Sequence, residues 1–163
     1  MSAHDREKGA VGVIINKPLN RTLAEVRPEL SDSSLHSIPV YRGGPVNSDE
    51  LLLAAWKWNV EARSFQLFFG LDPDRLQELL LEHPGLKCKA FLGYSGWGAG
   101  QLEQEISKVD WRLSPFRVEF RKIPDNQLWE SFVEVLYKDH TDLPNSGNDY
   151  LDLGDLPEDP SLN

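Results

Sequence analysis

Apolar residues fall into short blocks divided by glycine, proline and charge, and the spacing inside each block predicts its element. Gly9–Ile15, with Val11, Val13, Ile14 and Ile15, is a β-rich run of little polarity and reads as a buried strand. Asn16-Lys17-Pro18 ends it, because proline cannot donate to a ladder. Thr22 with Glu25 three positions on forms a capping box for a short helix to about Leu30, kept brief by Pro28. Val40-Tyr41, Leu51–Trp56 and Phe65–Phe69 are further runs of strand length. Asp72-Pro73-Asp74 is the clearest helix start: an N-cap aspartate, a first-turn proline and negative charge at the positive end of the dipole. Leu76, Leu79, Leu80 and His83 follow at helical spacing, and Pro84-Gly85 ends the helix. Lys87–Tyr94 alternates as a strand, Leu102 and Ile106 mark a second helix, and Trp111–Leu113 and Phe116–Phe120 read as extended. The last helix begins near Pro124-Asp125, buries Leu128, Trp129, Phe132, Val135 and Leu136, and ends by Lys138. Strands and helices intermix without a regular βαβ alternation, so the expected class is mixed α/β, or α+β.

Composition narrows this reading without naming a reaction. The 163 residues are 40% hydrophobic, enough for one packed core, which excludes wholesale disorder. A single cysteine, Cys88, excludes an internal disulfide framework and a cysteine zinc cage. The net charge of −9 has the wrong sign for wrapping nucleic acid phosphates, but it is unevenly spread. Residues 139–163 hold seven acids and no Lys or Arg, leaving 17 basic against 19 acidic side chains in residues 1–138. Residues 1–138 are therefore expected to form one domain, and residues 139–163 an acidic, mostly flexible tail broken by proline and glycine. The alternative is a tail that docks through Tyr150, Leu151, Leu153 and Leu156 on its own or a partner subunit. No secretory signal or membrane-length apolar run is visible, so the expected location is the cytoplasm, with no membrane partner.

Two clusters carry candidate chemistry. Gly93-Tyr94-Ser95-Gly96-Trp97-Gly98-Ala99-Gly100-Gln101 places four glycines between a strand and a helix, where free N–H groups suit an anion. The named motifs fail: there is no Gly-Lys-Ser/Thr, Gln101 stands where a dinucleotide loop needs its third glycine, and Trp97 stands where a nucleophile elbow needs glycine. The loop is either a tight turn with Trp97 plugging the core or a ligand-facing loop presenting Ser95, Gly96, Trp97, Gly98, Gly100 and Gln101. The second cluster is Tyr41-Arg42-Gly43-Gly44-Pro45-Val46, with Asn16 expected nearby. Its Arg42 can hold a carboxylate or phosphate, and its Gly43-Gly44 pair allows backbones to approach closely; the plainer reading is a strand-end turn. His4, His36, His83 and His140 form no metal-binding spacing, Glu103 and Glu105 make no carboxylate dyad, and Cys88 alternates with apolar neighbours as a core residue would. No catalytic residue, metal or cofactor is assigned.

Together Gly12–Pro18, Tyr41–Val46 and Leu92–Glu105 resemble, in this order, the AlgH/YqgE family of bacterial proteins, with Trp111 and the Trp129 helix fitting as well. The resemblance covers residues 4 to about 138. It implies an irregular, bifurcated sheet folded into a pseudo-barrel with flanking helices. It also implies a molecular function that is not established, commonly labelled transcriptional regulation, and it carries no catalytic residue with it. Relatives often have alanine where this chain has Ser95, which speaks against a serine nucleophile. They also have a strand-rich segment before the position of His4. Without it the Gly9–Ile15 strand is expected to leave an unpaired edge that recruits a second copy or the acidic tail. Three functions then compete: a small regulatory or binding protein with a ligand or protein partner, an enzyme taking an anionic small molecule at the Gly93–Gly100 loop, and direct duplex recognition. The near-neutral body and the lack of a basic recognition helix argue against the last.

Overall fold

The computed structural model describes residues 2–5, 7–59, 64–108, 111, 113 and 123–141. The chain divides into two units, residues 1–110 and 111–163. Each is taken by itself.

The first unit is a mixed α/β fold built on one branched sheet. Its strands are β1 (Ser2–Asp5), β2 (Gly9–Gly12), β3 (Pro18–Thr22), β4 (Pro39–Arg42), β5 (Val46–Asn59), β6 (Ser64–Leu71) and β7 (Lys87–Trp97). The helices are α1 (Leu23–Val26), α2 (Pro73–Glu82) and α3 (Gln101–Ser107). The helix starts follow the local chemistry. Thr22 and Glu25 form the expected capping box, in which Glu25 Oε2 accepts from the Thr22 backbone at 2.6 Å, and this bond holds the Glu25 carboxyl below its usual range. Asp72 caps α2, its Oδ1 accepting from Arg75 N at 2.8 Å. The helix expected to reach Leu30 instead closes at Val26 and continues as a 3₁₀ turn over Pro28–Leu30, because Pro28 has no N–H to extend it.

Strand β7 is the hub, with β2, β4 and β5 all hydrogen-bonded to it. Strand β4 runs parallel to β7, Val40 opposite Ala90 and Arg42 opposite Leu92. Strand β5 runs antiparallel to the same stretch, Leu51 opposite Leu92 and Leu53 opposite Ala90. A strand has two edges, so β4 and β5 lie on opposite sides of β7. The three residues between them, Gly43, Gly44 and Pro45, must carry the chain across the β7 backbone.

The crossing explains the paired glycines. A Cβ on Gly43 would stand 2.1 Å from Gly93 O, and one on Gly44 would stand 2.2 Å from the Tyr94 carbonyl carbon. Gly93 itself bends under the bridge with φ +71, a conformation that only glycine adopts without strain. The bridge is hydrogen-bonded on both sides: Gly43 N donates to Leu92 O at 2.7 Å, and Ile14 N donates to Gly43 O at 2.8 Å. Beyond it β7 pairs with β2, Gly12 opposite Ser95 and Ala10 opposite Trp97.

The two sheet faces bury different cores. Leu23, Leu35, Val40, Leu53, Leu76, Leu79 and Ala90 form the larger one beneath α1 and α2. Tyr41, Ala54 and Phe91 form the smaller, where Lys89 Nζ lies 3.9 Å from the Tyr41 ring centroid and donates to Ile15 O at 3.1 Å.

The structure corrects several expectations. Strand β2 covers Gly9–Gly12 rather than Gly9–Ile15, and its edge is not open: β1 pairs with it from Ser2 opposite Gly12 to Asp5 opposite Gly9. Self-association through that edge therefore loses its premise. Strand β7 runs on to Trp97, since the glycines at 93 and 96 belong to the strand and not to a turn after it. Strand β3 occupies residues read as a terminator and an N-cap, with Pro18 at the first strand position, where its missing N–H is tolerated. In the second unit a 3₁₀ turn over Asp125–Gln127 leads into α4 (Leu128–Thr141), which starts later than expected and ends three residues beyond Lys138. Leu128 and Val133 are buried there. The Phe116–Phe120 strand and residues 142–163 of the tail lie outside the described residues, and no strand forms at Trp111 or Leu113.

The crossing separates glycines that look alike in sequence. Gly44→Ala should cost about 3 kcal/mol or more, because backbone must move off backbone. Gly96→Ala, whose Cβ would meet Tyr94 Cε2 at an ordinary 3.4 Å, should stay within about 1 kcal/mol of the parent. Chemical denaturation of both variants measures this; equal stabilities would remove the steric basis of the bridge.

Candidate functional site

The glycine-rich segment closes on itself through side chains. The Trp97 indole Nε1 donates to Glu105 Oε2 at 2.8 Å, and Gln101 Nε2 donates to Glu105 Oε1 at 2.9 Å. Gln101 Oε1 in turn accepts from Gly98 N at 3.0 Å, and Gln101 N donates back to Gly98 O at 3.0 Å. One carboxylate on α3 thus takes the side chains of both Gln101 and Trp97, four and eight residues before it. Gly100, with φ +71, makes the left-handed turn that aims α3 back so that Glu105 reaches Trp97. Trp97 and Glu105 are half-buried, Gly98 and Gln101 exposed.

This arrangement bears on anion binding. The Gly98 N–H is already engaged, and the group that bonds the Trp97 indole is an acid, Glu105. A carboxylate placed there repels an incoming phosphate or carboxylate. The helix behind the loop has seven residues, too short to bring a strong dipole.

The remaining expected site residues sit elsewhere. Arg42 is exposed at the end of β4 opposite Leu92, and its backbone N donates to Lys17 O at 2.9 Å, which brings half-buried Asn16 to the same neighbourhood. Gly43 and Gly44 are buried in the bridge. Ser95 is half-buried opposite Gly12, and exposed Gly96 opposite Val11. From the Leu92 row to the Trp97 row is five residues, about 16 Å along a strand. The structure therefore brings Asn16 to Arg42, and Trp97, Gly98 and Gln101 to Glu105, as two groups. Cys88 is half-buried, and burial pushes its thiol up, which keeps it protonated and weakly nucleophilic. No three His, Cys, Asp or Glu side chains among the described residues are placed to share a metal ion.

A cleft of about 500 Å³ lies away from both groups, and none of the expected site residues lines it. Arg27, Glu29 and Leu30 form one wall, Glu50–Leu53 the second, and Gly70–Pro73 the third. It exists because β5 outruns β6: their pairing ends at Leu53 opposite Leu71, with a bulge at Gly70, whose φ is +71. The sequence signal was present in Gly70-Leu71-Asp72-Pro73, a bulge glycine followed by a helix start, but it reads as punctuation rather than as the wall of a site.

Comparison with known proteins now places the chain. Its sheet and helices define a small mixed α/β protein similar to the solution structure of the AlgH protein from Pseudomonas aeruginosa. The TM-score is 0.57 at 25% identity, covering 88% of this chain and 82% of that one. A family model described as AlgH-like matches residues 1–141, and the chain belongs to this family. A UPF0301 protein of Thioalkalivibrio sulfidiphilus is 35% identical over 136 residues, 77% of this chain and 72% of that protein. A UPF0301 protein of Parabacteroides distasonis is 32% identical over 165 residues, 96% of this chain and 77% of that protein.

If the Glu105 network ties the loop to α3, its members are energetically coupled. Trp97→Phe and Glu105→Gln should each destabilise, and the double variant should lose less than their sum by about 1 kcal/mol. A double-mutant cycle in urea measures the coupling, and strict additivity would mean that the indole–carboxylate contact contributes nothing.

Proposed function

We propose that the protein is a small binding protein with a regulatory role, acting through a partner and not by catalysing a reaction at the Gly93–Gly100 loop. The observation that carries this reading is the Trp97–Glu105–Gln101–Gly98 network. It commits the Trp97 indole, the Gln101 amide and the Gly98 N–H to one another and to Glu105, and sets a carboxylate where an anionic substrate would need a donor. No helix among the described residues is long and apolar enough to cross a membrane. With its single cysteine, a reducing cytoplasm suits the chain. Regulation in this reading is indirect. The 17 basic and 19 acidic side chains of residues 1–138 give no basic excess for a duplex.

Two titrations test it. Labelled duplex DNA should show at most weak association that salt abolishes, and a sub-micromolar complex persisting at 200 mM salt would overturn indirect action. Inorganic phosphate and adenosine monophosphate at 10 mM should leave the melting temperature unchanged. A stabilisation that Glu105→Gln enlarges would support instead the enzyme reading, with an anionic substrate at the loop.

A further inference from the structure

The cleft between Arg27, Glu50 and Leu71 has an open strand edge for one wall. Strand β6 stops pairing with β5 at Leu71 opposite Leu53, and the chain turns away at Asp72-Pro73 into α2. Strand β5 continues to Val46, and among the described residues no strand occupies its β6 side beyond Leu53. The other side of Leu51 and Leu52 is filled by β7, so the outward backbone groups of this stretch face the cleft. Arg27 closes the far end: its Nη2 donates to Asp49 O and its Nη1 to Val26 O, the latter at 2.9 Å. Among the described residues, what stays open is the edge of Glu50–Leu52, about one short strand segment long.

The lining then selects the occupant. Leu30, Leu51 and Leu71 pack at the margin of the larger core and leave an apolar floor. The rim holds three carboxylates, Glu29, Glu50 and Asp72, all exposed, against one guanidinium, which is turned onto two carbonyls. Glu50 Oε2 accepts from Asn47 Nδ2 at 2.8 Å and Asp72 Oδ1 caps α2, and neither bond neutralises its carboxylate. The mouth is therefore negative over an apolar floor, beside main-chain donors and acceptors that no strand among the described residues takes up.

We propose that this cleft binds an extended peptide from a partner protein. Its main chain joins the open edge of β5 as a continuation of β6. One apolar side chain enters against Leu30, Leu51 and Leu71, and a neighbouring lysine or arginine meets Glu29 and Glu50. Strand addition supplies affinity through the main chain, and the pocket and rim supply specificity. The inference rests on the reading of the protein as a binding module and names its site and its partner's chemistry.

The test uses the full chain, isotopically labelled, and three probes: an acetylated and amidated Lys-Val-Leu-Val-Lys peptide, the same peptide with Glu for Lys, and hexylamine. The lysine peptide should shift the amides of Glu50–Leu53 and Gly70–Leu71 with a dissociation constant on the order of 100 µM. The glutamate peptide should bind at least tenfold more weakly, and Glu50→Lys, an exposed change that leaves the rim with two acidic and two basic groups, should remove most of that preference. N-methylation of the central leucine should abolish binding if the main chain joins the strand. Failure of the lysine peptide to move these amides at 2 mM, equal binding of both peptides, or equal binding of hexylamine overturns the proposal. Amide shifts elsewhere, with the cleft silent, would refute this site while leaving the binding-protein reading in place; stabilisation by phosphate at the loop would refute that reading.

Discussion

The fold depends on one steric constraint, the passage of Gly43-Gly44-Pro45 over the backbone of β7. Once β4 and β5 flank the same residues of β7 on opposite edges, the connection between them can only cross it, and there is no room for side chains where it does. The two arms form a hairpin with another strand threaded between them. Everything downstream follows from that thread. Strand β7 emerges beyond the bridge to meet β2, the sheet branches, and each face gains its own core.

Two of the three sequence segments that mark the family meet at this point and the third runs under it. Ile14 bonds to Gly43, Gly43 bonds to Leu92, and Gly93 bends beneath Gly44. The third segment continues past the bridge into Trp97 and Gln101, whose polar atoms close on Glu105. Of the glycines that suggest a phosphate cradle in sequence, Gly93 is thus used for backbone contact and Gly100 for the turn into α3, while Trp97 and Gln101 fasten α3. The cleft beside Glu50–Leu53 lies on a surface that the motifs do not mark, where chain geometry and not a signature residue makes the cavity.

What was legible in the sequence was local. Asp72-Pro73 and Thr22-x-x-Glu25 announce their helices because each cap is made by residues within one turn of one another. The mixed fold class follows from the intermixed strand and helix patterns for the same reason. The misses are long-range. Strand β3 carries Pro18 and a left-handed Asn20, both of which argue locally against a strand, and it forms because β4 offers it a partner. The polar start of β5, Asn47–Glu50, shows no alternation and bulges from the ladder, whose partners on β7 pass from Val46 opposite Tyr94 to Leu51 opposite Leu92. The unpaired edge expected for β2 disappears once β1 folds back on it, and Ser2-Ala3-His4-Asp5 carries no large apolar residue to mark it as a strand. Near the second cluster, Lys17 O accepts from Arg42 N, so the chain beside Asn16 runs along the end of β4. Trp97 and Gln101 belong to a separate group whose third member, Glu105, is on the far side of a turn set by Gly100.

The bridge itself is open to direct measurement by native-state amide hydrogen exchange. If Gly43-Gly44-Pro45 is clamped over β7, the Gly43 and Ile14 amides are sealed between strands and can exchange only when the whole unit unfolds. Their exchange free energies should then equal the global unfolding free energy and fall in step with it in low denaturant. Exchange of these two amides at the rate of an exposed loop, while the amides of β5 and β7 stay protected, would mean that the segment does not cross as a bonded bridge.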